Sequence, residues 1–172
     1  MAFDPQPVLL GRSLTVRPLR QVHFEALYAV ARDPLVWEQH PAPDRHLPEV
    51  FKQFFAEALE SGGALVVAPI NGPVMGSSRF HGYDRQRSEV EIGWTFLSRS
   101  YWGGAANHEL KRLMLGHAFR FVERVIFLVG PENCRSQRAL EKIGGERVGT
   151  RLDRSGQENV LFEFRRQDFW RD

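Results

Sequence analysis

Four residues with almost no side chain, Gly103-Gly104-Ala105-Ala106, separate two patterned stretches of the chain. Before them, Val90 to Leu97 is rich in β-branched and aromatic residues and reads as a strand. After them, Leu110, Leu113, Met114, Ala118 and Phe121 recur as one face of an α-helix. A strand that enters a helix through so bare a turn leaves the first N–H groups of the helix open to an anion. The helix dipole adds partial positive charge at the same place. The same glycines also suit a plain tight turn, so the stretch alone does not choose between phosphate cradle and simple corner.

The rest of the chain supplies partners for this unit. Leu14 to Leu19 reads as a first strand closed by Pro18, and Phe24, Leu27, Tyr28 and Ala31 have helical spacing. Pro48-Glu49 suits the first turn of a helix whose stripe holds Leu47, Val50, Phe51, Phe54, Phe55, Ala58 and Leu59, ending at Ser61-Gly62-Gly63. Ala64 to Ile70 and Val74 to Phe80 flank Asn71-Gly72, a strong hairpin signal, and Gly82 to Arg87 reads as a polar connection. Val125 to Val129 is apolar throughout, as a strand buried on both faces would be. A helix from about Cys134 to Ile143 ends at Gly144-Gly145, and Val148–Leu152 with Asn159–Phe164 closes the chain as a hairpin. The order predicts an α/β (α+β) domain: one mixed, mostly antiparallel sheet of about six to seven strands with helices on both faces.

Composition bounds the function. The 172 residues suit one domain, 1–172, and a surplus of two positive charges, 23 against 21, is too small to argue for nucleic acid. Cys134 is the single cysteine, no signal peptide is apparent, and no apolar run approaches the roughly 20 residues that span a bilayer, which fits a cytoplasmic protein with no membrane partner. The six histidines lack metal-ligand spacing, so no metal is expected. Cys134, with no neighbouring histidine, is expected to be a small, partly buried residue.

Taken in order, Leu14-Thr-Val-Arg-Pro-Leu19, Glu91-Ile-Gly-Trp94, Tyr101-Trp-Gly-Gly-Ala105, Asn133-x-x-Ser136 and Glu141-Lys-Ile-Gly-Gly145 resemble the GNAT family of acetyl-CoA-dependent N-acetyltransferases. They look most like its branch of ribosomal-protein alanine N-acetyltransferases (RimJ/RimL-like). The resemblance implies a sheet whose central strands splay apart around the cofactor. It also implies direct transfer of acetyl from acetyl-CoA to a primary amine, either a protein or peptide N-terminus or a small amine. Two departures stand out: Ser100 replaces the Arg or Gln that commonly opens the loop, and Leu140 sits where many members carry a tyrosine that protonates the leaving thiolate.

By resemblance, Trp102, Gly103, Gly104, Ala105, Ala106 and Asn107 hold the pyrophosphate through backbone N–H groups, and Lys111 reaches a phosphate. Asn107 also suits a helix N-cap, and Lys111 a solvated face. Thr95, Phe96 and Leu97 offer a backbone edge to the pantetheine arm, and Asn133 bonds that arm, caps the next helix, or both. Ser136 contacts the sulfur or passes it a proton, and Glu91 is the first candidate base. Alkyl amines with a pKa near 10 are almost wholly protonated at neutral pH and need one. A solvated strand face is the other reading of Glu89 and Glu91.

Acceptor choice would rest on the helices from Gln21 to Ser61 and on the Leu152–Glu158 hairpin. His40, Arg45 and His46 there suit either a pocket or a solvated loop. The aromatic end (Phe162, Phe164, Phe169, Trp170) suits a homodimer contact or a core-covering strand. Two rivals remain at this level: a GNAT-fold module that binds acyl-CoA without catalysis, and an α/β nucleotide-binding protein.

Overall fold

The computed structural model describes residues 1–169. Its strands are β1 (Leu9–Leu10), β2 (Leu14–Pro18), β3 (Ala64–Pro69), β4 (Gly76–Asp84), β5 (Glu89–Leu97), β6 (Arg124–Val129), β7 (Glu146–Leu152) and β8 (Glu158–Arg165). Its helices are α1 (Phe24–Ala31), α2 (Pro48–Glu60), α3 (Ala105–Ala118), α4 (Cys134–Lys142) and the short α5 (Arg166–Phe169). All eight strands form one sheet in the order β1-β2-β3-β4-β5-β6-β8-β7. Every pairing is antiparallel except β5 with β6.

Eight strands exceed the six to seven expected, and the two-residue β1 is the additional one; so short a strand carries no periodicity to read. The polar connection expected at Gly82–Arg87 is in its first part strand, because β4 runs on to Asp84 before it turns. Asn71 adopts φ +62°, the left-handed conformation an Asn-Gly turn requires.

Two apolar layers sandwich the sheet, and β3 shows how one strand feeds both. Leu65 and Val67 join the layer under α3 and α4, whereas Ala64 and Val66 join the layer under α1 and α2. In the second layer Phe51, Phe54 and Phe55 of α2 pack with Leu27, Trp37 and Phe96. Burying each such ring contributes about 1.5–3 kcal/mol. Phe162 and Phe164 are core residues of the first layer, so they cover the core and do not face a partner; Trp170 lies outside the described residues.

The feature that positions the site is the parallel pair. β5 and β6 are in register only at Glu89–Arg124, Val90–Val125 and Glu91–Ile126. Beyond that, β5 continues beside β4 as far as Leu97 opposite Gly76, and β6 continues beside β8 as far as Val129 opposite Val160. A V therefore opens in the middle of the sheet, its apex at Glu91. A bulge sharpens it: Trp94 and Thr95 together oppose Ser78, and Trp94 sits at φ +51°.

Candidate active site

A cavity of about 1120 Å³ fills the V. Its walls come from the Val36–Arg45 loops, the end of α2, β4 and β5, the start of α3, β6, α4 and the β7–β8 turn. A second pocket of about 500 Å³, lined by Gly103, Gly104, Ala105, Asn107 and His108 with Arg135, Arg138 and Lys142, adjoins it.

Helix α3 begins at this second pocket. Gly104 is its N-cap, contributes no side-chain cap, and no acidic residue stands in the first turn. Asn107 is thus not the cap; it lies within the first turn and lines both pockets. Gly103 at φ +69° makes the turn into the helix. The donors of an uncapped helix start face a pocket rimmed by three basic side chains, an arrangement made for a polyanion. Ala105 joins that lining, Ala106 does not, and Trp102 lines the main cavity with its indole donating to the Leu97 carbonyl at 3.0 Å. Arg135 stacks on the Trp102 ring, its Cζ 3.7 Å from the centroid. Sequence reasoning missed Arg135 and Arg138, whose only signal was the recurrence of basic residues at 135, 138 and 142 along one face of α4.

Lys111 departs from its expected place. It is neither solvated nor turned to a phosphate: only 5% exposed, its Nζ donates to Thr95 Oγ1 at 2.7 Å and stands 4.9 Å from the Phe127 ring centroid. Thr95 Oγ1 in turn shares a hydrogen bond of 2.8 Å with Ser78 Oγ. Burial lowers the Lys111 pKa to about 7. An ammonium group on an otherwise apolar helix face thus sits between the splayed strands, and helical periodicity alone gave no sign of it.

Glu91 and Glu89 share a strand but not a role. Glu89 is 5% exposed and paired with Arg124 at 2.8 Å and Arg151 at 3.0 Å, so it is a buried structural anion, not a solvated one. The Glu91 side chain is half-buried at the apex of the V and lines the cavity, with no hydrogen bond or ion pair among the described residues. Desolvation raises its pKa to about 7, opposed by the charges of Arg151 and Arg79.

Across the V, Asn133 caps α4 by accepting from the Ser136 N–H at 3.2 Å. The Asn133 amide nitrogen and the Ser136 hydroxyl have no protein partner among the described residues, and both residues line the cavity. Leu140 is buried in the same wall, and none of the lining residues is a tyrosine. Thr95, Phe96 and Leu97 lie where β5 has no β6 partner and line the cavity, with the Leu97 carbonyl already engaged by Trp102. Cys134 is exposed rather than partly buried. His40 and Arg45 line the cavity, whereas His46 does not. No cluster of metal-binding side chains occurs among the described residues, and no helix there is long and apolar enough to cross a membrane.

Residues 13–146 match the family profile described as the acetyltransferase (GNAT) domain. Among solved structures, a protein from T. thermophilus, described provisionally as an acetyltransferase, is 30% identical, with 98% of this chain and 93% of that one covered and a TM-score of 0.77. RimJ of Mycobacterium smegmatis, solved with CoA-disulfide, is 17% identical over 95% of this chain and 89% of its own, with a TM-score of 0.73. The spermidine N-acetyltransferase of Vibrio cholerae, solved with CoA and spermine, is 12% identical over 91% and 98%, with a TM-score of 0.66. The latter two share the fold. No curated protein matches the chain in sequence.

Proposed function

The chain belongs to the GNAT acetyltransferase family, and from that premise we propose that it moves an acetyl group from acetyl-CoA to a primary amine by direct attack, with Glu91 as base. The carrying observation is the Glu91 carboxylate: unpaired, desolvated and set where β5 leaves β6, with a pKa raised to about 7. A base tuned near ambient pH both ionises and accepts a proton effectively.

The residues present fit the donor. The α3 start, with Gly103, Gly104, Ala105 and Asn107 beside Arg135, Arg138 and Lys142, suits a pyrophosphate. The CoA carried by the M. smegmatis and V. cholerae relatives agrees with this. The free side of β5 at Thr95–Leu97 and the Asn133 amide suit the pantetheine arm, and backbone N–H groups of β5 suit the thioester oxyanion. Ser136, with a hydroxyl that has no protein partner among the described residues, suits donation to the departing thiolate. A thiolate is a good leaving group that can depart with help from a hydroxyl or water, so Leu140 in place of a phenol is tolerable. Lys111 is assigned to hold Thr95 and the bulge, not a phosphate. The reaction belongs in a cytoplasmic setting where acetyl-CoA is present.

Conversion of Glu91 to Gln tests the reading. Turnover, followed as free thiol released from acetyl-CoA, should fall about 10²- to 10⁴-fold while cofactor affinity holds. Wild-type protein that binds CoA but releases no thiol with any amine would favour the non-catalytic acyl-CoA-binding alternative.

A further inference from the structure

One wall of the cavity, on the face covered by α2, is built from hydrogen-bond donors that have no acceptor. Arg79 of β4 is 6% exposed, yet its guanidinium makes no hydrogen bond and no ion pair among the described residues, and its Nε is fully enclosed. It lies over the Trp94 ring, with Cζ 4.4 Å from the centroid, and 5.9 Å from that of Phe54. Arg45, from the turn Pro43–His46, stacks on the same Phe54 ring at 4.4 Å and on Trp37 at 5.5 Å, and it too lacks a carboxylate partner. Burial works against the charge of each, and Arg79 also works against the charge of Arg45.

His40 completes the set. Its Nδ1 accepts the Ala42 N–H at 3.0 Å, so in the neutral ring, which burial and Arg45 enforce, the proton is on Nε2. Nε2 stands 3.2 Å from Arg45 Nη1. Arginine only donates, so these are two donors face to face. Buried donors without acceptors are costly, and a guanidinium most of all. The negative charges in reach are insufficient: Glu57 and Glu91 act on Arg79 only from a distance, and Glu57 is exposed and bonded to Gln53. None of these three donors lines the pocket at the α3 start, so the wall is separate from the pyrophosphate cradle.

We propose that the amine acceptor carries a carboxylate, and that Arg79, Arg45 and His40 form the subsite that binds it. The proposal rests on the acetyltransferase reading and names its substrate class. A planar carboxylate matches the guanidinium fork, and the aromatic floor of Phe54, Trp37 and Trp94 excludes water from the pairing. Arg79 also acts on Glu91, so a carboxylate bound there offsets the cation that depresses the basicity of Glu91. The base then becomes stronger only when an acceptor is seated.

The test sets each standard amino acid against its primary amide, and Ala-Asp against Ala-Asn as C-terminally amidated dipeptides, in thiol release and in calorimetric titration with CoA present. An amide's α-amine is less basic than an amino acid's, so intrinsic reactivity near neutral pH favours the amide. A preference of about tenfold or more for a carboxylate-bearing member of a pair is expected, and Arg79→Gln should erase that ratio. Arg45→Gln, at a half-buried turn, should reduce the ratio even if the Arg79 variant folds poorly. Preference for the free amino acids or for Ala-Asp distinguishes a metabolite from an acidic peptide. Equal or better use of the amides, or variants that leave the ratio intact, overturns the proposal while leaving the acetyltransferase reading standing. Carboxylate-selective binding without thiol release keeps the subsite and overturns the enzyme reading. Neither binding nor turnover with any acceptor overturns both.

Discussion

At the scale of single residues, half-buried Glu91 and buried Lys111 are pushed toward the same pH from opposite sides. Glu91 rises from 4.5 to about 7, so between those values the native state keeps a proton that the unfolded chain has released. Stability contributed through Glu91 therefore falls as pH climbs from about 4.5 to 7. Lys111 drops from 10.5 to about 7, so above neutrality the unfolded chain holds the extra proton and stability climbs until about pH 10.5. A plot of unfolding free energy against pH should dip near 7, each limb bounded by about 1.4 kcal/mol per pH unit. Lys111→Met should flatten the upper limb alone and Glu91→Gln the lower limb alone, measured by urea unfolding at a series of pH values. If neither limb changes, the two groups are better hydrated than their burial implies. The same ionisation of Glu91 predicts that kcat/KM falls tenfold per unit below about pH 7 and levels off above it.

At the scale of elements, the start of α3 sets helix stability against ligand affinity. A glycine cap gives up only a few tenths of a kcal/mol against an Asp cap, and a carboxylate there would add about 0.3–1 kcal/mol through the helix dipole. Gly104 is at φ −99°, a conformation open to any residue, and an added Cβ would meet nothing closer than the Tyr101 carbonyl at 3.9 Å. Gly104→Asp should therefore raise the melting temperature by a few degrees while weakening CoA binding tenfold or more, because its carboxylate takes the donors and repels the pyrophosphate. Better stability with unchanged affinity would mean that the phosphates bind elsewhere. The strand–turn–helix order of this element was legible from Gly-Gly-Ala-Ala between a β-branched run and an apolar periodicity, but the stretch alone did not choose between a phosphate cradle and a plain corner. Helix α2 was legible for the same kind of reason: Phe51, Phe54 and Phe55 recur on one stripe and are all buried. Phe51→Ala should cost about 3–5 kcal/mol by urea denaturation, since the ring is fully enclosed and touches Phe24, Tyr28 and Phe96.

At the scale of the whole molecule, most of what was hidden depends on residues far apart in the chain. Arg79 and Arg45 meet on Phe54 although they lie on different elements, and nothing local in either segment marks a shared purpose. Lys111 suited a phosphate or a solvated face because a lysine near a helix start ordinarily reaches water, and the gap between β5 and β6 gives it room to turn inward instead. Glu89 and Glu91 alternate as surface residues would, yet Arg124 and Arg151, from two other strands, make one of them a buried ion pair. The V itself is a tertiary defect: strands β5 and β6 share only three registered pairs, so the middle of the sheet depends on whatever fills the cleft. A ligand lying there bonds both flanks and should stabilise the whole fold, not one loop. Acetyl-CoA at ~100 times its dissociation constant should add about 2.7 kcal/mol, or roughly 5–10 °C in melting temperature for a chain of this size. CoA should do nearly as well, and ATP or NAD, which can occupy the α3 cradle but cannot span the V, should shift it much less. Equal shifts from ATP and CoA would place all the binding energy in the phosphate cradle and none in the cleft. The open strand pair would then be a property of the fold alone.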